Sequence, residues 1–250
     1  MQRLNPKSAS WEIYSNLRAR APLVARADGR GFKKVLKTSK KPYDIDFARV
    51  MADAAAGFFR DSGLMPALAF TFSDEISLVF LEAPFAGRVE KIDSLIAGFL
   101  SSAVSLDLAR PVSMDCRTIP LCEDEIGVYL AERQDETWRN HLFSYGFYML
   151  VGEGLSKTQA MERLRGLKEQ EIHELVYQKG VNLARTPAWE RRGIMIRRKG
   201  GQVVQDWELP LFASKEGRAL LEEIIKDAGT GSKAGPVPDL SGRKRANSQQ

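Results

Sequence analysis

The stretch from residue 67 to residue 81, ALAFTFSDEISLVFL, holds two apolar runs parted by Ser73-Asp74-Glu75. Aromatic and β-branched residues on either side of a short polar break predict two strands, paired as a hairpin. Working outward, residues 45–62 carry Phe47, Val50, Met51, Ala54, Ala55 and Phe58 at helical spacing, with Asp44 in the N-cap place and Gly63 and Pro66 as stop signals. On the other side, residues 88–108 read as a second long helix. Outermost are a short strand, Leu23-Val24-Ala25-Arg26-Ala27, which runs into Asp28-Gly29, and a fourth strand over residues 112–119. The order is strand, helix, strand, strand, helix, strand, the split βαβ arrangement of ferredoxin-like folds. There the first and third strands are antiparallel neighbours at the centre of the sheet. Asp28, at the end of one, is therefore expected to meet Asp74, at the start of the other.

The second half reads differently. Residues 123–151 are mostly helical, Ser156-Lys157-Thr158-Gln159 has capping-box spacing, and residues 169–178 form a further helix. Gly200-Gly201 between residues 193–198 and 202–207 predicts a hairpin, and residues 217–227 a last helix. There is no internal repeat. The expected fold class is α+β: a βαββαβ core over residues 1–121, and a mostly helical region with a hairpin over residues 122–228 that packs on it. A disordered tail, rich in Gly, Pro and Ser and carrying basic GRKRAN at residues 242–247, is expected over residues 229–250.

A chain of 250 residues with 44% hydrophobic and 28% charged residues can bury a core without metal or disulfide staples. Cys116 and Cys122 have neither zinc nor redox spacing, which predicts a reduced, cytoplasmic protein. The leading residues, MQRLNPKSASWEIY, contain no apolar core of a signal peptide, and no run is long enough to span a membrane. A net charge of +5 points weakly to a polyanionic partner. With only His141 and His173, a histidine-based metal site or triad is not expected; no serine-hydrolase elbow and no Walker sequence is present.

Asp28 and Asp74 are the leading candidates for chemistry. Two carboxylates at the end of a sheet suit magnesium, which prefers oxygen ligands and keeps several waters. Two such ions about 4 Å apart can activate a hydroxyl and stabilise a leaving oxygen in phosphoryl transfer. Gly29, without a Cβ, admits close approach of backbone and phosphate. Each segment taken alone reads as an ordinary turn; the expected convergence makes the metal reading competitive, and composition and spacing leave the two open. Glu75 is expected to support the site rather than ligate. Arg26, Arg30 and Lys41 lead the basic loop over residues 33–41 and its flanks as triphosphate contacts. Arg191, Arg192, Arg197, Arg198 and Lys199, beside Trp189, read either as an RNA surface or as a strand edge guarded by positive charge.

Several segments taken together resemble one family. They are Arg26-Ala27-Asp28-Gly29-Arg30-Gly31-Phe32, Lys41-Pro42-Tyr43-Asp44, Phe72-Ser73-Asp74-Glu75-Ile76-Ser77, Met114-Asp115-Cys116-Arg117, Tyr129-Leu130-Ala131-Glu132-Arg133-Gln134, GLSKTQAMERLRG over residues 154–166, and Arg191-Arg192-Gly193. In order and spacing this pattern is similar to the tRNA-His guanylyltransferase family, and especially to its guanylyltransferase-like branch. The resemblance implies a polymerase-like palm that adds nucleotides in the 3′-to-5′ direction to the 5′ end of tRNA, with ATP and GTP as substrates. It implies that Asp28, Asp74 and the Gly29 carbonyl hold two Mg2+ ions, that Ser73 and Glu75 support them, and that Arg26, Arg30, Gly31, Phe32 and Lys41 lie near the nucleotide. It also implies a homotetramer, a dimer of dimers, with tRNA spanning subunits. Where eukaryotic members carry HINN, this chain reads Trp138-Arg139-Asn140-His141, so only Asn140 keeps its place. That departure favours 5′-end repair of truncated tRNA over addition of an extra guanylate to tRNA-His. Asn140 and Asp115 are carried as substrate contacts. The rivals are a palm-type nucleotide cyclase and a tRNA-binding protein without catalysis.

Overall fold

The computed structural model describes residues 12–231. The readings made on residues 1–11 and 232–250, including most of the basic tail, lie outside the described residues. The first half folds in the expected order: β1 (Leu23–Arg30), a four-residue helix α1 (Phe32–Val35), α2 (Ile45–Asp61), β2 (Leu68–Phe72), β3 (Glu75–Phe80), α3 (Val89–Asp107) and β4 (Ser113–Pro120). The second half supplies α4 (Glu125–Gly152), α5 (Lys157–Leu164), α6 (Glu169–Gln178), α7 (Ala188–Arg192), β5 (Ile194–Lys199), β6 (Gln202–Asp206) and α8 (Lys215–Gly231). All pairings are antiparallel and the sheet order is β4-β1-β3-β2-β5-β6. The central β1–β3 pair predicted from the hairpin is present, and the late hairpin β5–β6 extends the same sheet through β2 rather than standing apart from it.

Side-chain alternation divides the sheet into two faces. Leu23, Ala25 and Ala27 of β1 join Ile76, Leu78 and Phe80 of β3 beneath α2 and α3. A run of small buried residues, Ala52, Ala54, Ala55 and Ala56, lets α2 lie close to the strands. On the opposite face Val24, Leu68, Phe70 and Val79 meet Ile126, Tyr129 and Leu130 of α4 and Leu221 and Ile224 of α8. The central strands are thus covered on both sides, and β2 and β3 are buried along their whole length. The far half of α4 leaves the sheet and forms a separate cluster with α5 and α6 through Leu142, Leu150, Ala160, Leu164, Ile172 and Val176. A helix that buries one face against a sheet and another against helices shows no single hydrophobic stripe, which is why its pattern reads weakly in sequence.

Local signals hold where short-range chemistry sets them. The Asp44 carboxylate accepts from Asp46 N at 3.0 Å, and Ser156 and Gln159 complete a capping box. Gly200 and Gly201 have φ of 56° and 80°, the positive angles that a two-residue hairpin turn needs. Two expectations are corrected. The basic segment after residue 32 is not an open loop: α1 and a 3-10 turn, Leu36–Thr38, wind it up, because Phe32 is drawn into the core. The last helix extends to Gly231, beyond the start expected for the tail. Among the described residues, no helix is long and apolar enough to cross a membrane.

Candidate active site

Antiparallel pairing sets Asp28 opposite Glu75, and the Gly29 amide donates to the Asp74 carbonyl at 3.0 Å. Asp74 occupies the second place of a two-residue turn whose closing pair is Phe72 and Glu75. Ser73, in the first place, has φ 51°, an angle that costs energy in a residue with a Cβ. Its Oγ donates to Asp74 Oδ1 at 3.0 Å and orients that carboxylate. A Cβ built on Gly29 would stand 2.8 Å from Asp74 Oδ2 and 2.5 Å from the Phe32 ring. The glycine is therefore required by the packing between a core aromatic and the second aspartate. Burial pushes the Asp74 carboxyl above the usual range, and the charge of Asp28 adds to the rise.

Strand alternation brings further groups to this face. Arg26 and Asp28 on β1 stand in register with Ser77 and Glu75 on β3, and with Arg117 and Asp115 on β4. Burial also raises the Glu75 carboxyl, against the pull of Arg133 and Arg26. Both Glu75 oxygens are taken by Arg133 of α4, Nε to Oε1 at 3.0 Å and Nη2 to Oε2 at 3.1 Å. Ser77 Oγ and Tyr129 Oη lie 3.1 Å apart beside this pair. The exposed Asp115 carboxylate accepts from Arg117 at 2.8 Å. Reading the sequence did not identify Arg133 as the partner of Glu75. It stands 58 positions away on an element whose placement local patterns do not specify.

The other predicted residues divide. Arg30, Gly31 and Lys41 are exposed near the end of β1 and the turns that follow. Lys41 Nζ donates to the Leu36 carbonyl at 2.7 Å. The Phe32 side chain is buried in the core against Phe47, ring centroids 6.0 Å apart, so its contribution is to seat the loop. Asn140 is exposed on α4, seven residues beyond Arg133 and so on the same helix face, roughly 10 Å further along the axis.

The second basic cluster does not assemble. Arg191 and Arg192 are half-buried and donate to the backbone carbonyls of Thr186 and Leu209. Arg197 pairs with Asp206 at 2.7 Å, and Arg198 donates to the Phe59 carbonyl. Nor is this a guarded edge, since β5 lies between β2 and β6. A groove of about 410 Å³ lined by Ile45, Arg49, Asp53, Gln205 and Trp207 lies on the opposite face of the sheet, away from the carboxylates.

Behind the Lys41–Asp44 turn, His141 is fully buried among Tyr43, Trp138 and Tyr145. Thr186 Oγ1 donates to the Leu183 carbonyl and so accepts from His141 Nε2 at 3.0 Å. That leaves Nδ1 without a hydrogen-bond partner, 3.9 Å from Glu190 Oε2. Burial, reinforced by the charge of Arg191, lowers the His141 pKa to about 4. A depressed histidine pKa means that the unfolded chain binds the proton first. His141 therefore contributes stability above pH 6.5 that is lost as the pH falls toward 4, about 3 kcal/mol in all. The raised Glu190 carboxyl works in the opposite sense, so the comparison needs a variant. Urea unfolding between pH 4.5 and 7.5 should show a smaller loss of stability on acidification in His141→Phe than in the wild type. Equal slopes would disprove the assignment.

A donor set of two carboxylates and a backbone carbonyl, oriented by a serine hydroxyl, fits a hard, oxygen-seeking cation. Among the described residues no three His, Cys, Asp or Glu side chains group as a metal cage. The all-oxygen donors at the carboxylate turn suit magnesium, which needs few protein ligands, more than zinc, which favours nitrogen and sulfur.

Comparison with known proteins agrees with the fold. The family model described as tRNAHis guanylyltransferase matches residues 7–127, and the model described as Thg1 C terminal domain matches residues 124–233. A probable tRNA(His) guanylyltransferase of Drosophila melanogaster is 34% identical over 195 residues, covering 71% of this chain and 67% of that protein. Two solved structures of a bacterial tRNA(HIS) guanylyltransferase (Thg1)-like protein share the fold. The complex with ATP has TM-score 0.74 at 22% identity and the complex with GTP 0.66 at 19%, each covering 88% of this chain and 97% of the other. With both family models spanning nearly the whole chain and the carboxylate turn in its place on a palm-like sheet, the chain belongs to the tRNA(His) guanylyltransferase family.

Proposed function

We propose that this protein is a magnesium-dependent nucleotidyltransferase that adds nucleotides to the 5′ end of tRNA in the 3′-to-5′ direction. The observation that carries the reading is the convergence of Asp28, Gly29 and Asp74 at one end of the central strand pair, with exposed Arg30 next along β1. Relatives named for guanylyl transfer to tRNA(His), and structures of similar fold holding ATP or GTP, support the substrate classes.

Asp28, Asp74 and the Gly29 carbonyl would hold two magnesium ions. When bound, these would neutralise triphosphate charge and favour ionisation of the attacking hydroxyl. Arg26, Arg30 and Lys41 would bind and orient the triphosphate, Gly31 would leave room for it, and Ser73 would keep Asp74 aimed. Glu75, held by Arg133, would support the turn rather than accept a proton. Residues 1–121 would carry the chemistry. Residues 122–228 would contact tRNA, with Asn140 on the exposed face of α4 as a contact and Arg191 and Arg192 near the path of the chain. The reading includes a homotetramer, carried by the family resemblance, and a cytoplasmic location, carried by the two cysteines without zinc or redox spacing.

The test supplies magnesium, labelled nucleoside triphosphates and a tRNA lacking its first 5′ nucleotide, bearing either a monophosphate or a triphosphate. The expected result is growth at the 5′ end. Cyclic nucleotide formed without RNA, or tight tRNA binding without product, would overturn the proposal. Intact tRNA(His) in a parallel reaction separates guanylate addition from repair.

A further inference from the structure

The turn bearing Asp74 is gripped at both ends by one side chain of the other half of the chain. Arg133 forks onto Glu75, the residue after the turn, through Nε and Nη2. Its guanidinium also lies 5.5 Å from the ring centroid of Phe72, the residue before Ser73. Phe72 and Glu75 are the closing pair of the turn, so the contact spans the strained Ser73 and the carboxylate of Asp74.

Arg133 is itself held by its helix. The neighbouring Gln134 is buried and bonds three backbone groups: its Nε2 donates to the carbonyls of Arg192 and Pro210, and its Oε1 accepts from Phe212 N at 2.8 Å. Consecutive residues of α4 thus tie the α7–β5 junction and the 209–212 loop to the carboxylate turn. The Arg133 fork takes one lone pair on each Glu75 oxygen and holds that carboxylate toward α4. Through the backbone of the turn it shares with Asp74, that contact reaches the second aspartate.

We infer that Arg133 is a positioning residue, which clamps the Phe72–Glu75 turn so that Asp74 is presented to the cation without Glu75 ligating it. The inference rests on the reading of Asp74 as a metal ligand. Arginine is needed for the geometry: its planar fork meets both carboxylate oxygens while its face lies over an aromatic ring. Lysine keeps the charge but neither of those features.

The experiment uses the full chain and Mn2+ as a spectroscopic stand-in for magnesium. Binding is read by electron paramagnetic resonance without nucleotide or RNA, beside kcat and KM for 5′ addition and thermal unfolding. Groups that orient a metal ligand characteristically change affinity or activity by about 10- to 100-fold when removed. Arg133→Gln should weaken Mn2+ binding by about tenfold and lower kcat by up to about a hundredfold, with KM for nucleotide within about threefold of wild type. Arg133→Lys should fold normally and recover only part of the loss. It carries the test alone if Arg133→Gln fails to fold. On a Glu75→Gln background, Arg133→Gln should add little, because the two act as a unit.

Wild-type Mn2+ affinity and kcat in the folded variants would overturn the clamp. A loss confined to KM would overturn it too, by showing direct contact with substrate. If the wild type binds no Mn2+, the metal reading itself fails. If the wild type binds Mn2+ but extends no tRNA, the proposed reaction fails while the binding arm still decides the role of Arg133.

Discussion

Asp74→Asn is expected to lose nucleotide addition by about a thousandfold or more while the fold stays as stable as the wild type or becomes more so. The loss follows from charge: Asp74 would hold the cations that balance the transferring phosphoryl, and loss of one positive charge at such a centre, as for an arginine finger, costs about 10³- to 10⁵-fold. Asparagine keeps the size of the side chain and an oxygen that can accept from Ser73, so the turn need not rearrange. Stability moves the other way because burial and the neighbouring Asp28 charge both disfavour ionised Asp74 in the absence of a cation. A neutral amide removes that repulsion, the familiar opposition of function and stability at a charged site. Single-turnover extension of a 5′-truncated tRNA, with thermal unfolding of the metal-free proteins at pH 7, reads both quantities. Activity within tenfold of wild type would exclude Asp74 as a metal ligand. Lost activity with a lowered melting temperature would mean that Asp74 supports the fold rather than the chemistry. Asp28→Asn should lose activity to the same degree, since the two carboxylates share one load.

Gly29→Ala is expected to have the second largest effect, through space rather than charge. Gly29 is not among the glycines with positive φ, so an alanine is acceptable to the backbone itself. The added methyl would stand 2.5 Å and 2.7 Å from two Phe32 ring atoms and 2.8 Å from Asp74 Oδ2. The ring is buried in the core and cannot swing into solvent, so the strain should cost about 1–3 kcal/mol. The carboxylate can move, but any movement shifts the Oδ2 oxygen that Gly29 now leaves in place. Activity should therefore fall by far more than the unfolded fraction explains. Pairing Gly29→Ala with Phe32→Leu separates the two clashes. Stability should return toward that of Phe32→Leu alone, whereas activity should not. Recovery of both would show that the glycine serves only the packing of Phe32.

Much of this architecture is legible in the order of residues. The hairpin over residues 67–81 and the helical spacing of Phe47, Val50, Met51, Ala54, Ala55 and Phe58 predict the βαββαβ core, and the structure places its strands in the expected order. Caps at Asp44 and Ser156 and the glycine pair at residues 200–201 are local devices. They act over four residues or fewer, and here they agree with the tertiary fold. The meeting of Asp28 with the Ser73–Glu75 turn also follows from sequence, but only through the fold: once β1 and β3 pair, register does the rest.

What sequence could not decide is how the two halves engage. Arg191, Arg192, Arg197 and Arg198 look alike as a run of positive charge. Strand alternation and burial send them to the Thr186 carbonyl, the Leu209 carbonyl, Asp206 and the Phe59 carbonyl in turn. The buried state of His141 depends on Tyr43, Trp138, Tyr145 and Thr186, drawn from three separate stretches of chain. The opening hairpin, SDE and its flanks, determined by itself that two strands would turn at Asp74 and, with the strand before Asp28, that two carboxylates would share a sheet end. Only the tertiary structure decided that Glu75 is occupied by Arg133. Strand period and turn propensity are set by neighbours along the chain. The partner of a buried charge is set by which distant helix covers it, and that choice is made by the packing of the whole core.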